Sequence, residues 1–283
     1  MFDFMEQRPS AIPIVVLDTE TTGLNPALGH RVVEIGAVRL EDGKTVAEFS
    51  QLIYPDRLMD AKASAVNGIS DADLRGQPRF AEIAPELLRL LDGAMLVAHN
   101  AVFDAGFIGQ ELFISGYAPD PALQQPVLPN PWLCTLTLAR NFFYFGSNSL
   151  GNIARTLGVR MGQAHRALAD VYMTAEIFTR MTRELAHKYD LHTVGDLLHA
   201  QDGAIYTPPP PQLFLPPVIQ EALRNGRNLH ILYITPQHGE SRRTITPLYP
   251  TETNGVGYLV AYCHLRREQR TFRLDRIFSA ELG

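Results

Sequence analysis

The sequence predicts an α/β domain, with a mixed sheet flanked by helices, followed by a small β domain. Three observations carry this. Strand-like apolar runs come mainly first and helical ones follow them. The stretch TPPPPQLFLPP, residues 207 to 217, interrupts the pattern with four consecutive prolines, which favour an extended, semi-rigid spacer. Beyond it the apolar runs are short and β-like, separated by turn residues.

Residues 12 to 18 read as a first strand. HRVVEIGAVRL and TVAEFSQLIY, joined by EDGK, read as a hairpin, because Asp-Gly between alternating apolar runs favours a tight turn. A turn or short helix is expected over Ile69 to Leu74. FAEIAPELLRLL carries apolar residues at helical spacing, and AMLVAH is a short buried strand. Asn100 is placed to cap the helix AVFDAGFIGQELFISG, which Gly116 ends. Five prolines between Pro119 and Pro131 predict a loop. WLCT is a short strand, and TLARNFF, SLGNIARTLG and RALADVYMTAEIFTRMTRELAHKY are helices. After the proline run, LHILYI, TITPLY, VGYLVAYCHL and TFRLDRI are strands. The division expected is a tail over 1–11, a first domain over 12–188, a helix and proline-rich linker over 189–216, and a β domain over 217–283.

With 46% hydrophobic and 19% charged residues the 283-residue chain is globular rather than disordered. MFDFMEQRPS has no basic n-region, and no apolar run approaches the ~20 residues of a membrane helix, so a cytoplasmic location and no membrane contact are expected. Cys134 and Cys263 are the only cysteines, too few for a disulfide framework. The net charge of −5 is uneven: from Leu213 onward there are nine Arg, no Lys and six acids, or +3, which leaves −8 for the rest. An acidic body with an arginine-bearing tail is compatible with phosphodiester binding.

In IVVLDTETTG an apolar strand runs into Asp18 and Glu20, which share one strand face. Two like charges side by side are costly without a cation between them. AHNAVFD sets Asp104 four residues after Asn100 on one helix face, and HRALAD sets His165 ahead of a helix with Asp170 on its first turns. Singly, each acid reads as a cap or surface charge. Converging, the four carboxylates suit two divalent cations, Mg²⁺ or Mn²⁺, the arrangement that assists phosphodiester cleavage. His165 would then act as general base.

DTETTGL, HNAVFD and HRALAD, in that order, resemble the three motifs of the DEDDh 3′–5′ exonucleases, over about residues 12 to 185. The resemblance implies a ribonuclease H-like fold and release of 5′-mononucleotides from a 3′ end. It makes Asp18, Glu20, Asp104 and Asp170 the metal ligands and His165 the base. It further implies that Thr21 and Leu24 contact the terminal nucleotide and that Val66-Asn67-Gly68 wedges between the last bases, with His99, Asn100 and Phe103 along the substrate. Asn67 and Cys134-Thr135 depart from the commoner His and Asp-Thr, which bears on substrate preference. The partner expected is nucleic acid with a free 3′ end, single-stranded DNA first and RNA as the alternative.

VGYLVAYCHLRREQRTFRLDRI resembles the WYL domain, an SH3-like β module tied to regulation and to nucleic-acid or ligand binding, with Gly257 in place of the tryptophan. Alternation puts Leu259, Ala261, Cys263 and Leu265 inward and Tyr258, Tyr262, His264 and Arg266 outward. Tyr258, His264, Arg266, Arg273 and Arg276 are the expected nucleic-acid or ligand contacts. A ligand-sensing protein in which this module is the main functional part is the alternative from another class. QLFLP, Gln212 to Pro216, loosely resembles peptides that bind the bacterial sliding clamp.

Overall fold

A computed structural model describes residues 4–160, 166–237 and 239–283. Its first sheet has the order β3-β2-β1-β4-β5. The central strand, β1 (Ile14–Thr21), runs antiparallel to β2 (Val32–Glu41), which pairs with β3 (Lys44–Leu52) through a turn at Asp42 and Gly43. Both turn residues have positive φ, 49° and 71°, as a type I′ hairpin requires. On its other side β1 runs parallel to β4 (Met95–Ala98), itself parallel to β5 (Trp132–Cys134).

The alternation of β1 feeds two cores. Val15 and Leu17 pack with α2 (Phe80–Leu91) and α3 (Ala101–Ile114) on one face. Ile14 and Val16 pack on the other with α4 (Thr135–Phe142), α5 (Leu150–Leu157), α6 (Ala167–Tyr189) and α7 (Val194–Ala200). This is the expected mixed sheet between helices. β1 outlasts β4: the parallel ladder covers only Ile14–Val16, so the end of β1 has an open edge towards α3.

Several local expectations need correction. The first strand, expected to end at residue 18, continues through Glu20 to Thr21, because β2 pairs with it that far. The expected turn after Asn67-Gly68 is present, at 71–76, but a helix that the sequence does not announce, α1 (Ala61–Asn67), comes before it. Asn100 does precede α3, but in a left-handed conformation, φ 82°, without a side-chain cap.

The second sheet is antiparallel, in the order β10-β6-β7-β8-β9, from β6 (Leu229–Thr235), β7 (Gly239–Thr253), β8 (Val256–Cys263), β9 (Glu268–Arg273) and β10 (Ile277–Leu282). It is preceded by a helix that the sequence reading lacked, α8 (Pro217–Asn225), with Pro at its start and Gly226 left-handed at its end. TFRLDRI is two strands rather than one, divided by a 3-10 turn at Leu274–Arg276. Leu259, Ala261 and Cys263 are buried as alternation demands, whereas Leu265 is exposed because β8 ends at Cys263.

The proline run lies along α3. Thr207 Oγ1 accepts from Leu128 N at 2.7 Å and donates to Leu128 O at 3.1 Å, and a Cβ on Gly109 of α3 would sit 3.1 Å from Thr207 Cβ. Thr207→Val should therefore leave both Leu128 groups unpaired and cost roughly 1–3 kcal/mol. An unchanged urea midpoint would show that this anchor contributes nothing.

Candidate active site

The three acids Asp18, Glu20 and Asp170 each present an oxygen within 4.8 Å of the others. Asp18 and Glu20 come from the end of β1 and Asp170 from the first turn of α6. Asp104 stands apart from this triple, on the α3 side. Its Oδ1 accepts from Thr19 N at 3.0 Å and from Thr19 Oγ1 at 2.8 Å. Thr19 N is available because β4 has already ended, so the open edge of β1 is capped by an acid on the neighbouring helix.

The electrostatics of the cluster are those of crowded, desolvated carboxylates. Burial raises the Asp18 pKa well above the ordinary range, and repulsion from Asp104, Glu20, Asp170 and Glu34 adds to it. Glu20 is pushed up to about 7 by burial and then by Asp170 and Glu34, against a lowering hydrogen bond from Asn67. Burial also raises Asp104, opposed by its two Thr19 bonds. Oxygen-only donors, several of them charged and close together, fit a hard divalent cation, which would relieve this repulsion.

Two residues outside the expected set hold the arrangement. Glu34 on β2, directly opposite Glu20, is buried. It accepts from Arg166 Nη2 at 2.8 Å and from Ala167 N, the first amide of α6, at 3.2 Å. Two positions along, Gly36 lies opposite Asp18, and a Cβ there would meet the α6 backbone, 2.5 Å from Leu168 N. Together they seat the start of α6, and with it Asp170, on the sheet. In the sequence Glu34 is one acid in an apolar strand, and only an odd charge on a buried face could have marked it.

His165 lies outside the described residues; its neighbour in the chain is Arg166. Leu24 and Val66 project into solvent, 86% and 61% exposed. Asn67 is buried, and its amide donates to Thr21 O at 3.3 Å, which ties α1 to β1. Thr21 Oγ1 donates to Gly23 O at 2.6 Å. His99 has both ring nitrogens engaged, by Thr135 Oγ1 at 2.9 Å and Asn148 O at 3.0 Å, so it fastens a loop. Asn100 is exposed, and Phe103 packs against Phe107 with centroids 4.8 Å apart. His264 and Arg266 are exposed, but in the turn after β8 rather than on a strand face, because the strand ends at Cys263; Tyr258 on β8 and Arg276 in the 3-10 turn are half-buried. Arg273 is paired with Asp275 at 2.6 Å. Of QLFLP, Leu215 is buried in the C-terminal core and Leu213 packs against it, while Phe214 is exposed.

The sequence matches the Exonuclease family (RNase_T) over residues 15–178 and the WYL domain family over 216–282. The chain belongs to the exonuclease family. It is 35% identical over 212 residues to the DNA polymerase III epsilon subunit of Treponema pallidum, covering 72% of this chain and 91% of that one. It is 34% identical over 193 residues to the PolC-type DNA polymerase III of Thermotoga petrophila, spanning 68% of this chain but only 13% of that polymerase. A solved structure of exonuclease X with 5′-overhanging duplex DNA has a TM-score of 0.51 and 27% identity, covering 66% of this chain and 99% of that one. The E. coli ExoI complex with single-stranded DNA shares the fold at a TM-score of 0.54 and 20% identity, over 88% of this chain and 54% of that one. No helix among the described residues is long and apolar enough to cross a membrane.

Two measurements check this geometry. Because burial and crowding raise the folded-state pKa of Asp18, Glu20 and Asp104, the folded metal-free protein holds protons that the unfolded chain releases. The contribution of these acids to stability is thus fully present below the ordinary carboxylate pKa and is lost as pH rises from about 4 through about 7. In EDTA, Asp18→Asn should therefore raise the melting temperature more at about pH 7 than at about pH 4; an equal effect at both would contradict the clustering. Gly36→Ala should cost roughly 1–3 kcal/mol by overpacking and weaken Mn²⁺ binding by moving Asp170; Mn²⁺ affinity equal to wild type would break the link between Gly36 and the cluster.

Proposed function

We propose that this protein is a metal-dependent 3′–5′ exonuclease that removes 5′-mononucleotides from the 3′ end of single-stranded DNA. The observation that carries the reading is the acid triple at the end of β1, with Asp104 held beside it by Thr19. Asp18, Glu20, Asp104 and Asp170 would hold two cations, Mg²⁺ or Mn²⁺. Bound there, the cations supply electrostatic stabilisation of the attacking and leaving oxygens. His165 takes the proton of the attacking water, a task suited to an imidazole pKa near working pH. The exposed side chains of Leu24 and Val66, three residues after Thr21 and one before Asn67, meet the terminal nucleotide near the Thr21–Asn67 tie. The name of the Treponema pallidum relative supports DNA as the substrate. In the turn between β8 and β9, the exposed His264 and Arg266 hold the upstream strand by phosphate contact and stacking.

Degradation of 3′- and 5′-labelled single- and double-stranded DNA and RNA, with Mg²⁺, Mn²⁺ or EDTA, tests the reading. The 3′ label should leave at once as a mononucleotide, from single-stranded DNA fastest and only with metal. Equal activity in EDTA, or early loss of the 5′ label, would refute it. Asp18→Asn and Asp104→Asn should abolish turnover with the fold retained. His165→Asn should cost roughly 10²–10⁴-fold in rate while Mn²⁺ still binds; a near-wild-type rate would remove this histidine as the base. His264→Ala with Arg266→Ala should weaken binding of a long strand and flatten its salt dependence, and unchanged binding would take this turn out of the substrate path.

A further inference from the structure

The Gly23–His30 loop leaves the catalytic strand with Leu24 near its start and a 3-10 turn, Pro26–Leu28, at its tip. Its base is closed by the first domain. Thr22 N donates to Arg31 O at 2.8 Å, Arg31 N donates to Thr22 Oγ1 at 3.0 Å, and Gly23 leaves room for the His30 ring, 2.3 Å from where a Cβ would stand. The tip is held differently. A 3-10 turn ends in carbonyls with no partner of its own, and here three successive ones receive donors from the C-terminal sheet. Thr251 Oγ1 donates to Ala27 O at 2.6 Å, Thr271 Oγ1 to Leu28 O at 2.7 Å, and Gln269 Nε2 to Gly29 O at 3.1 Å; Gly29 O is shared with the first domain, through Arg57 Nη1 at 2.5 Å.

The contact is closely fitted, and dry around Thr251 and Val260. Thr251 and Val260 are fully buried although they lie on the face of the C-terminal sheet opposite its core. Gly29, at φ 83°, has Val260 Cγ1, Thr271 Oγ1 and Gln269 Nε2 all within 3.3 Å of where a Cβ would sit, so a side chain there would be strained and would have to push these neighbours aside. Beside this contact the buried Tyr249 lies next to Arg31, which forms a two-pronged pair with Glu111 of α3, 2.8 Å at each prong. Glu111 stands seven residues, about two turns, along the same helix from Asp104. One patch of the C-terminal sheet thus touches both the loop that carries Leu24 and the ion pair beneath the helix that carries Asp104.

We infer that Thr251, Gln269 and Thr271 are positioning residues for the nuclease: they hold the tip of the Gly23–His30 loop and so set where Leu24 meets the terminal nucleotide. The inference rests on the exonuclease reading, and it makes the C-terminal domain part of the cutting site as well as a surface for the upstream strand. It also separates two effects. Loss of strand holding harms long substrates only, whereas loss of loop positioning harms the shortest ones too.

The test uses the full chain with Thr251→Val and Thr271→Val together, which removes two donors at little change of side-chain volume. Amide exchange across residues 24–30 should quicken about tenfold, the effect of roughly one net hydrogen bond. The KM for a trinucleotide should rise by a similar factor, with kcat within about twofold because the acids are untouched. Should the double variant fail to fold, Thr271→Val alone, at the exposed rim, gives the same readings at smaller size. Unchanged exchange would overturn the inference, and so would faster exchange with an unchanged trinucleotide KM. A wild-type protein inactive on every oligonucleotide would instead refute the exonuclease reading, and the exchange measurement would still report whether the loop depends on the sheet.

Discussion

Mutual repulsion among carboxylates at the end of β1 is the constraint around which the first domain is arranged. Asp18 and Glu20 lie on one face because strand side chains alternate, and Asp170 is brought over them by α6. Such a group raises the free energy of the metal-free fold, so the scaffold has to hold it by force of packing elsewhere. It does so from both flanks. β2 provides Glu34 as an anchor and Gly36 as a gap for α6, while Thr19 clasps Asp104 through the edge that β4 leaves open. The same acids that burden the fold are what give a cation its binding energy.

The C-terminal sheet belongs to this arrangement. On its outer face Thr251, Val260, Gln269 and Thr271 meet the first domain, while His264 and Arg266, in the turn between β8 and β9, remain in solvent. The proline run is likewise seated at its start, through Thr207 and Gly109 of α3.

Much of the site was legible in the sequence because its signals are local. Asp18 and Glu20 are two apart on a strand, Asp104 sits on the first turn of α3 after Asn100, and Asp170 sits on the first turn of α6. The hairpin at Asp42-Gly43 announced itself by turn chemistry. What the sequence hid depends on contacts between distant segments. Glu34 and Gly36 look like ordinary strand residues until α6 lands on them. Val260 belongs by alternation to the outer face, and only the neighbouring domain makes it buried. His99 looks like a substrate contact, yet Thr135 and Asn148 occupy both its nitrogens. The misplaced inward Leu265 and the single strand drawn through TFRLDRI have one cause: alternation does not show where a strand stops.

The claim that everything turns on is that Asp18, Glu20 and Asp104 hold protons more tightly than ordinary carboxylates without metal and give them up to it. Calorimetric titration of Mn²⁺ into the metal-free protein at about pH 6.5, repeated in buffers of different ionisation enthalpy, counts the protons released. Metal uptake with release of about one proton or more, reduced in Glu20→Gln, is the result predicted, since Glu20 is held near 7. Binding with no proton release, or no binding at all, would contradict the account.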